Sequence, residues 1–248
     1  MTARPGQRAG ALFALPSARQ VCHIVNRRNG KESDISTAAR GTTIPVQVKL
    51  YQGDIPADLS FGDSIAIDTE TLGLNPLRDR LCLMQLSSGD GVGHIVQFRA
   101  GEYAAPNLKR VLADPEVTKI FHFGRFDIAV IAQYLGIVCH PVYCTKIASR
   151  LTRTYTDRHG LKDLCSEMLG IDLSKQQQSS DWGREDLTRE QLDYAASDVL
   201  YLHKLRTALD QRLTRENRQA LAQACFDFLP ARAQLDLAGW PEMDIFAH

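Results

Sequence analysis

No stretch of this sequence approaches the ~20 consecutive apolar residues that a bilayer-spanning helix needs, so no membrane-spanning helix is expected. Charge of one sign is also missing: 29 basic and 29 acidic side chains balance to a net charge of zero. The broad positive surface of a binder of long nucleic acid is therefore not expected, although a local metal site can still handle phosphate. The six cysteines, Cys22, Cys82, Cys139, Cys144, Cys165 and Cys225, form no C-x-x-C pair. Several lie in apolar runs, where a reduced and buried thiol is the ordinary state, and a cytoplasmic setting is expected. His94, His122, His140 and His159 lack zinc-ligand spacing. What is present is a globular composition: 248 residues, 44% hydrophobic and 23% charged, enough for one large domain and a short extra segment.

Residues 1–44 form that extra segment. They hold seven basic residues against two acidic ones, leaving 22 basic against 27 acidic in the other 204. They are rich in Gly, Ser, Thr and Ala without periodicity, and read as a flexible or misassigned N-terminal extension ahead of a domain over 45–248. The opening MTARPGQRAGALFALPSARQ has a short apolar stretch broken by proline, so a secretory leader is not expected, although the segment is weakly presequence-like. Ordered structure is predicted from near Val46. Strands are expected at Ser64–Asp68, Leu81–Ser87, Gly93–Phe98, Val117–Phe121 and Gly136–Val142. Helices are expected from Pro106, through Phe126–Ala132, and over Cys144–Leu151 and Leu161–Leu169. Thr188 is placed to cap a helix reaching Leu213, with Gln191 in the capping-box position. A last helix runs from Glu216 to Leu229, with Pro230 ending it. Strands first and helices later predict a mixed α/β sheet covered by helices on both faces.

Asp68 and Glu70 lie two apart at a strand end, so both side chains point to one face. A D-x-E pair alone is common on surfaces. Asp127 adds weight, because it sits among Phe121, Phe123, Phe126, Ile128 and Ile131. A carboxylate in such surroundings needs a partner or a metal, although a place in a helix first turn explains part of it. Tyr194 and Asp198 are four apart on a helix and share a face. Four carboxylates brought together would repel by about 4 kcal/mol per close pair at an effective dielectric near 20. Two divalent cations would balance them, and all-carboxylate ligation favours Mg²⁺ or Mn²⁺ over zinc. Such a pair suits hydrolysis of phosphodiesters.

The segments DTE at 68–70, HFGRFD at 122–127 and YAASD at 194–198 resemble, in order and spacing, the three motifs of the DEDD exonucleases. Asp193 stands where the histidine subclass would carry its histidine, so the chain resembles the tyrosine subclass related to ribonuclease D. DTETLGLNPLRDRLCLMQLSSGDG, CTKIASRLTRTYTDRHGLKDLC, SKQQQSSDW and GWPEMDIFAH resemble the nanoRNase C group, short relatives of ribonuclease D found in alphaproteobacteria. Two departures from long ribonuclease D stand out: no C-terminal helical nucleic-acid-binding domain, and Thr71 after DTE in place of phenylalanine.

The resemblance implies a ribonuclease H-like three-layer α/β/α fold and removal of nucleotides from 3′ ends. It implies preference for short RNA, above all dinucleotides, and a ring-shaped homo-octamer. It implies Asp68 bridging two metals, Glu70 and Asp198 on the metal that holds the attacking water, Asp127 on the second metal, and Tyr194 orienting the water. Leu74 resembles a wedge between two bases, against the plainer reading of a loop leucine. Thr69 and Gln85 are further candidates for substrate contact. His122 and Arg125 flank the second motif and are candidates for a phosphate, Arg125 alternatively for a surface ion pair. Lys175, Gln178, Ser179, Ser180 and Trp182 are expected to cap the phosphate end of the substrate, with Arg153, Thr154 and Tyr155 as neighbours. Competing readings are a general ribonuclease D-like processing enzyme, an exonuclease on DNA 3′ ends, and a binding module without catalysis.

Overall fold

The computed structural model describes residues 47–174, 176–177 and 179–247. The expected extension over 1–44, Lys175 and Gln178 lie outside the described residues. Six strands form one sheet: β1 (Gln47–Gln52), β2 (Ser64–Thr71), β3 (Leu81–Ser87), β4 (Val92–Gln97), β5 (Thr118–Phe121) and β6 (Val142–Cys144), in the order β1-β4-β3-β2-β5-β6. The pairs β2–β3 and β3–β4 are antiparallel, whereas β1–β4, β2–β5 and β5–β6 are parallel. The antiparallel meander needs only short turns, such as Ser88–Gly91. The parallel pairs need crossovers, supplied by α1 (Pro106–Ala113) between β4 and β5, and by α2 (Arg125–Leu135) between β5 and β6.

Helices cover both faces, so β3 is buried along its whole length. Met84 and Leu86 face the larger core with Leu108, Leu112 and Ile128, while Leu83 joins Ile95, Ala195 and Ala196 on the opposite side. That second side is closed by α5 (Arg189–Leu200). Its start is fixed locally. Thr188 Oγ1 accepts from Gln191 N at 3.2 Å, and Gln191 Oε1 accepts from Thr188 N at 3.0 Å, the capping box that the sequence predicts.

Three boundaries differ from expectation. The helix from Thr188 does not continue to Leu213. It breaks at Tyr201, and α6 (Leu202–Arg215) resumes at once, so Leu202, Leu205 and Leu209 enter the large core while Ala195 and Ala196 serve the other side. Pro230 does not end the last helix, which runs as α7 over Gln219–Leu237. An interior proline costs a helix about 3 kcal/mol, but Phe226, Leu229, Pro230 and Ala233 are all buried, and that burial holds the helix through it. The strand expected over Gly136–Val142 is displaced. Gly136 ends α2 in the left-handed conformation, and only Val142–Cys144 pairs with β5. Between β6 and α5 lie α3 (Thr145–Thr152) and a short α4 (Leu161–Leu164) that passes into a π-turn over Cys165–Leu169.

Gly93 sets how closely α5 lies on the sheet. A Cβ built there would fall 2.5 Å from the Ala196 Cβ and 3.2 Å from its Cα. Relief requires movement of helix backbone, and overpacking of this kind costs about 1–3 kcal/mol. Gly93→Ala is expected to lower the melting temperature by roughly 2–10 °C and to weaken Mg²⁺ binding, because α5 carries Tyr194 and Asp198. A thermal melt with and without Mg²⁺ checks both, and an unchanged melt would show that α5 is not seated this tightly.

Candidate active site

Asp68 and Glu70 leave β2 on the side that faces α5, with Asp68 opposite Gln85 of β3. The register shifts between Glu70 and Thr71, a bulge that ends regular pairing just beyond the second acid. Asp198 arrives from α5, one turn after Tyr194. Ligand oxygens of Asp68, Glu70 and Asp198 lie within 4.8 Å of one another. Asp127 is in the first turn of α2, which begins where β5 ends, and its carboxylate approaches the strand end from the large-core side. Its Oδ1 accepts from Thr69 N at 3.1 Å and from Thr69 Oγ1 at 2.6 Å. Thr69, between the two β2 acids, therefore fastens the fourth acid to the strand. The sequence pattern groups all four alike. The structure gathers three into one cluster and anchors the fourth beside them.

The electrostatics of this corner are unfavourable for carboxylates standing alone. Burial, then Asp127, Asp198 and Glu70, push Asp68 well above the usual carboxylate range. Burial and the neighbouring Asp198 and Asp127 raise Glu70 to about 9. Burial raises Asp127 to about 6 against the opposing pull of the Thr69 bonds. It raises Asp198 to about 7, although the Tyr194 hydroxyl donates to that carboxylate. Tyr194 is itself raised, by burial and then by Asp198, Glu70 and Asp68, so its phenol stays protonated and acts as a donor. No lysine or arginine forms an ion pair with any of the four acids among the described residues. Clustered oxygen donors with no counter-charge fit hard divalent cations.

The acids floor a cleft of 820 Å³ bounded by Leu74, His122, Lys146, Leu173 and Trp182. Residues 54–214 match a family model described as 3′–5′ exonuclease. The chain belongs to the 3′–5′ exonuclease family. Brucella melitensis NrnC bound to pGG is 58% identical, with a TM-score of 0.80, over 82% of this chain and 99% of that one. The same protein with bound Mg²⁺ gives 57% identity and a TM-score of 0.79 over the same shares. Ribonuclease D of Granulibacter bethesdensis is 33% identical over 156 residues, 63% of this chain. The chain spans about two fifths of the length of that relative, 39%. The mixed sheet with helices on both faces is the ribonuclease H-like α/β/α fold of these exonucleases.

Around the acids of this candidate site, the expected substrate contacts divide. Leu74 is 89% exposed at the cleft rim, which removes the plainer reading of a packed loop leucine. Ser179 and Ser180 line the cleft, with Ser180 Oγ donating to Gln177 Oε1 at 2.6 Å. Trp182 lines it too, yet is buried and stacks on Tyr194 at a ring-centroid distance of 6.1 Å, so it supports the tyrosine. Gln85 is fully buried and does not reach the cleft, because α5 covers β3 at that position. Arg125 turns away from the acids. It pairs with Asp236 of α7 at 2.6 Å and donates to the Pro241 carbonyl, which is the ion-pair alternative for this residue. Arg153 is fully buried against Glu167 of the π-turn and Ser149, and Tyr155 donates to the same Glu167, so these two hold the π-turn and do not line the cleft.

His122 Nδ1 lies 2.8 Å from Thr145 Oγ1, a hydroxyl that also reaches the Phe121 carbonyl at 3.2 Å. Burial and the nearby Lys146 hold the imidazole down at about 3, so it is neutral at pH 7. Uncharged, the ring brings no positive charge to a phosphate, whereas a neutral imidazole nitrogen can bond a hydroxyl as donor or acceptor.

Three further cleft residues, Phe123, Lys146 and Lys162, lie within segments that carry the resemblance, but no spacing or chemistry in the chain marks them out there. Phe123 adopts φ +64°, a left-handed conformation that costs a non-glycine residue about 1–2 kcal/mol. Lys146 is the second residue of α3 and places its ammonium 3.6 Å from the centre of the Phe123 ring.

Proposed function

We propose that the protein hydrolyses short oligoribonucleotides from their 3′ ends, diribonucleotides above all, releasing nucleoside 5′-monophosphates with the help of two divalent cations, Mg²⁺ or Mn²⁺. The observation that carries this is the cluster of Asp68, Glu70 and Asp198 on the floor of a small cleft, with exposed Leu74 at its rim. A pair of divalent ions would supply the activation of water and the stabilisation of charge on phosphate and leaving oxygen. Asp68, Glu70 and Asp198 would hold them directly. Asp127, fixed by Thr69, would complete the set directly or through water. Tyr194, kept protonated and braced by Trp182, orients the attacking water by hydrogen bonding while Asp198 holds its hydroxyl.

Leu74 offers an apolar surface on which bases of any identity can lie, so binding would be insensitive to sequence. His122 Nε2 suits a ribose hydroxyl, which favours RNA over DNA. Ser179 and Ser180, with Lys175 and Gln178 of the same loop, would meet the 5′ phosphate. That NrnC of Brucella melitensis has been solved bound to pGG supports a substrate of this size.

Assembly and setting belong to the same proposal. The C-terminal segment exposes Trp240, Met243, Ile245 and Phe246, an apolar strip suited to a contact between subunits of an octameric ring. The work would be done in the cytoplasm by a domain over 45–248, with residues 1–44 as an extension. No described helix is long and apolar enough to cross a membrane.

The test is a length series: 5′-labelled RNA of two to about ten nucleotides and matched DNA, with Mg²⁺ or Mn²⁺. Turnover is expected to fall by at least roughly 10-fold between two and four nucleotides. Equal turnover at every length would support the ribonuclease D-like processing reading instead, and equal turnover of DNA would remove the role given to the ribose hydroxyl.

A further inference from the structure

Beside the acidic cleft lies a second cavity of 560 Å³, largely apolar on the side formed by Leu74, Pro76, Leu77 and Ala129. The two cavities share Leu74, Phe123 and Phe126 in their walls. Of these, Leu74 and Phe123 are substantially exposed, Phe123 by 48%. A large aromatic ring in that position is unusual on two counts. It is half open to water, and its backbone is held left-handed, a strain that glycine at 123 would relieve. The strain has a geometric result. Two residues before it, β5 ends at Phe121, and immediately after it Gly124 packs so tightly that a Cβ there would lie 2.4 Å from the Phe121 Cβ. The left-handed residue turns the chain sharply between strand and helix and sends its ring out to the wall between the cavities.

Lys146 lies 3.6 Å from the centre of that ring. It forms no ion pair among the described residues, even though four carboxylates occupy the same cleft. A cation resting on an aromatic face is held in place yet keeps its charge unneutralised. No other aromatic ring pairs with Phe123 among the described residues.

We propose that Phe123 and Lys146 form a nucleotide clamp, in which the ring stacks on one base of the substrate at the apolar cavity and the ammonium meets a phosphate of the same molecule at the acidic cleft. The clamp rests on the short-RNA reading for its substrate and adds two residues to it. Every base has a π-face, so the platform does not read sequence, but larger purine rings overlap it more than pyrimidines. The ammonium adds one cation beside an acidic floor that would otherwise repel an incoming phosphate. Because the ring positions the ammonium, the two contributions are coupled.

The experiment uses the full chain with saturating Mg²⁺ and steady-state turnover of 5′-phosphorylated GG, AA, CC and UU dinucleotides. Phe123→Ala is expected to raise KM by roughly 10- to 100-fold, more for GG and AA than for CC and UU, with kcat moving much less. Phe123→Trp is expected to keep a wild-type KM. Lys146→Gln is expected to raise KM and to flatten its dependence on salt, while Lys146→Arg retains both. The double variant Phe123→Ala, Lys146→Gln is expected to fall short of the product of the single losses. Phe123→Gly relieves the left-handed strain, so an unchanged melting temperature with a raised KM separates binding from folding. If wild type prefers dinucleotides and both single variants keep KM within about twofold for every base, the clamp is overturned and the short-RNA reading stands. If wild type turns over all lengths equally but Phe123→Ala still raises KM, the short-RNA reading falls and the clamp survives as a contact to any 3′ end.

Discussion

Asp68→Asn should abolish turnover and yet give a more stable metal-free protein. The two halves come from one cause. Asp68 is the acid pressed by all the others: burial, Asp127, Asp198 and Glu70 each act to push its proton affinity up. Near pH 8 the metal-free protein must either hold a proton there or tolerate adjacent charges. Asparagine keeps the shape and removes the charge, so melting temperature without metal should rise by roughly 2–6 °C. The same change removes a ligand from the group whose oxygens lie within 4.8 Å, and with it the site for a divalent ion. Turnover of a dinucleotide should drop by at least about 1,000-fold, and Mg²⁺ should no longer raise the melting temperature. A residual rate within 10-fold of wild type would remove Asp68 from the site, whereas a lowered melting temperature would show that its carboxylate is needed for folding. Asp127→Asn is the informative contrast. Asp127 accepts two bonds from Thr69, so its loss should cost activity without the gain in stability.

That contrast marks where the sequence stops being legible. The three motifs are local patterns. Period two places Asp68 and Glu70 together, and i to i+4 spacing stacks Tyr194 with Asp198, so the composition of the site is readable from the chain. The capping box at Thr188 and Gln191 is local as well, and the structure contains it. What spacing does not carry is which face each element presents. Asp127 reaches the strand from the large-core side and binds Thr69, a long-range bond that no periodicity announces. Gln85 reads as a polar group beside the acids, but α5 buries it. Its two amide atoms find no hydrogen-bond partner among the described residues. Arg125, two residues from Asp127, reads as either a phosphate ligand or an ion-pair partner, and only the fold decides, because α7 offers it Asp236. Pro230 signals a helix end in the chain, and burial overrides it. Phe123 and Lys146 lie within segments that carry the resemblance, but their significance rests on a positive φ and a contact between separate elements, which no spacing announces.

The dependence of stability on pH should reverse the trend common for carboxylates, and Mg²⁺ should cancel it. Paired carboxylates usually fall below their unfolded values, so folding gains as pH rises. Here the folded values are raised: Asp127 to about 6, Asp198 to about 7 and Glu70 to about 9, with Asp68 also well above its ordinary value. The unfolded chain ionises these groups near pH 4. The folded metal-free protein therefore binds more protons than the unfolded chain between about pH 4 and 9. The contribution of these acids to stability is complete below about pH 4 and is lost as pH climbs through 6, 7 and 9. Melting temperature in the presence of a chelator should fall by roughly 5 °C or more from pH 5.5 to 9. Divalent ions compete with the same protons, so their affinity should rise across that window. The melting shift produced by saturating Mg²⁺ should be small at pH 5.5 and largest at pH 9, leaving the metal-loaded protein with a nearly flat profile. Calorimetry at a series of pH values, with chelator and with Mg²⁺, measures both curves. A Mg²⁺ shift of equal size at pH 5.5 and 9 would mean that protons and metal do not share these carboxylates. Asp68→Asn connects the two experiments: with the most heavily pressed acid neutralised, the metal-free curve should flatten even without Mg²⁺, because fewer charges remain to be held together in one buried corner.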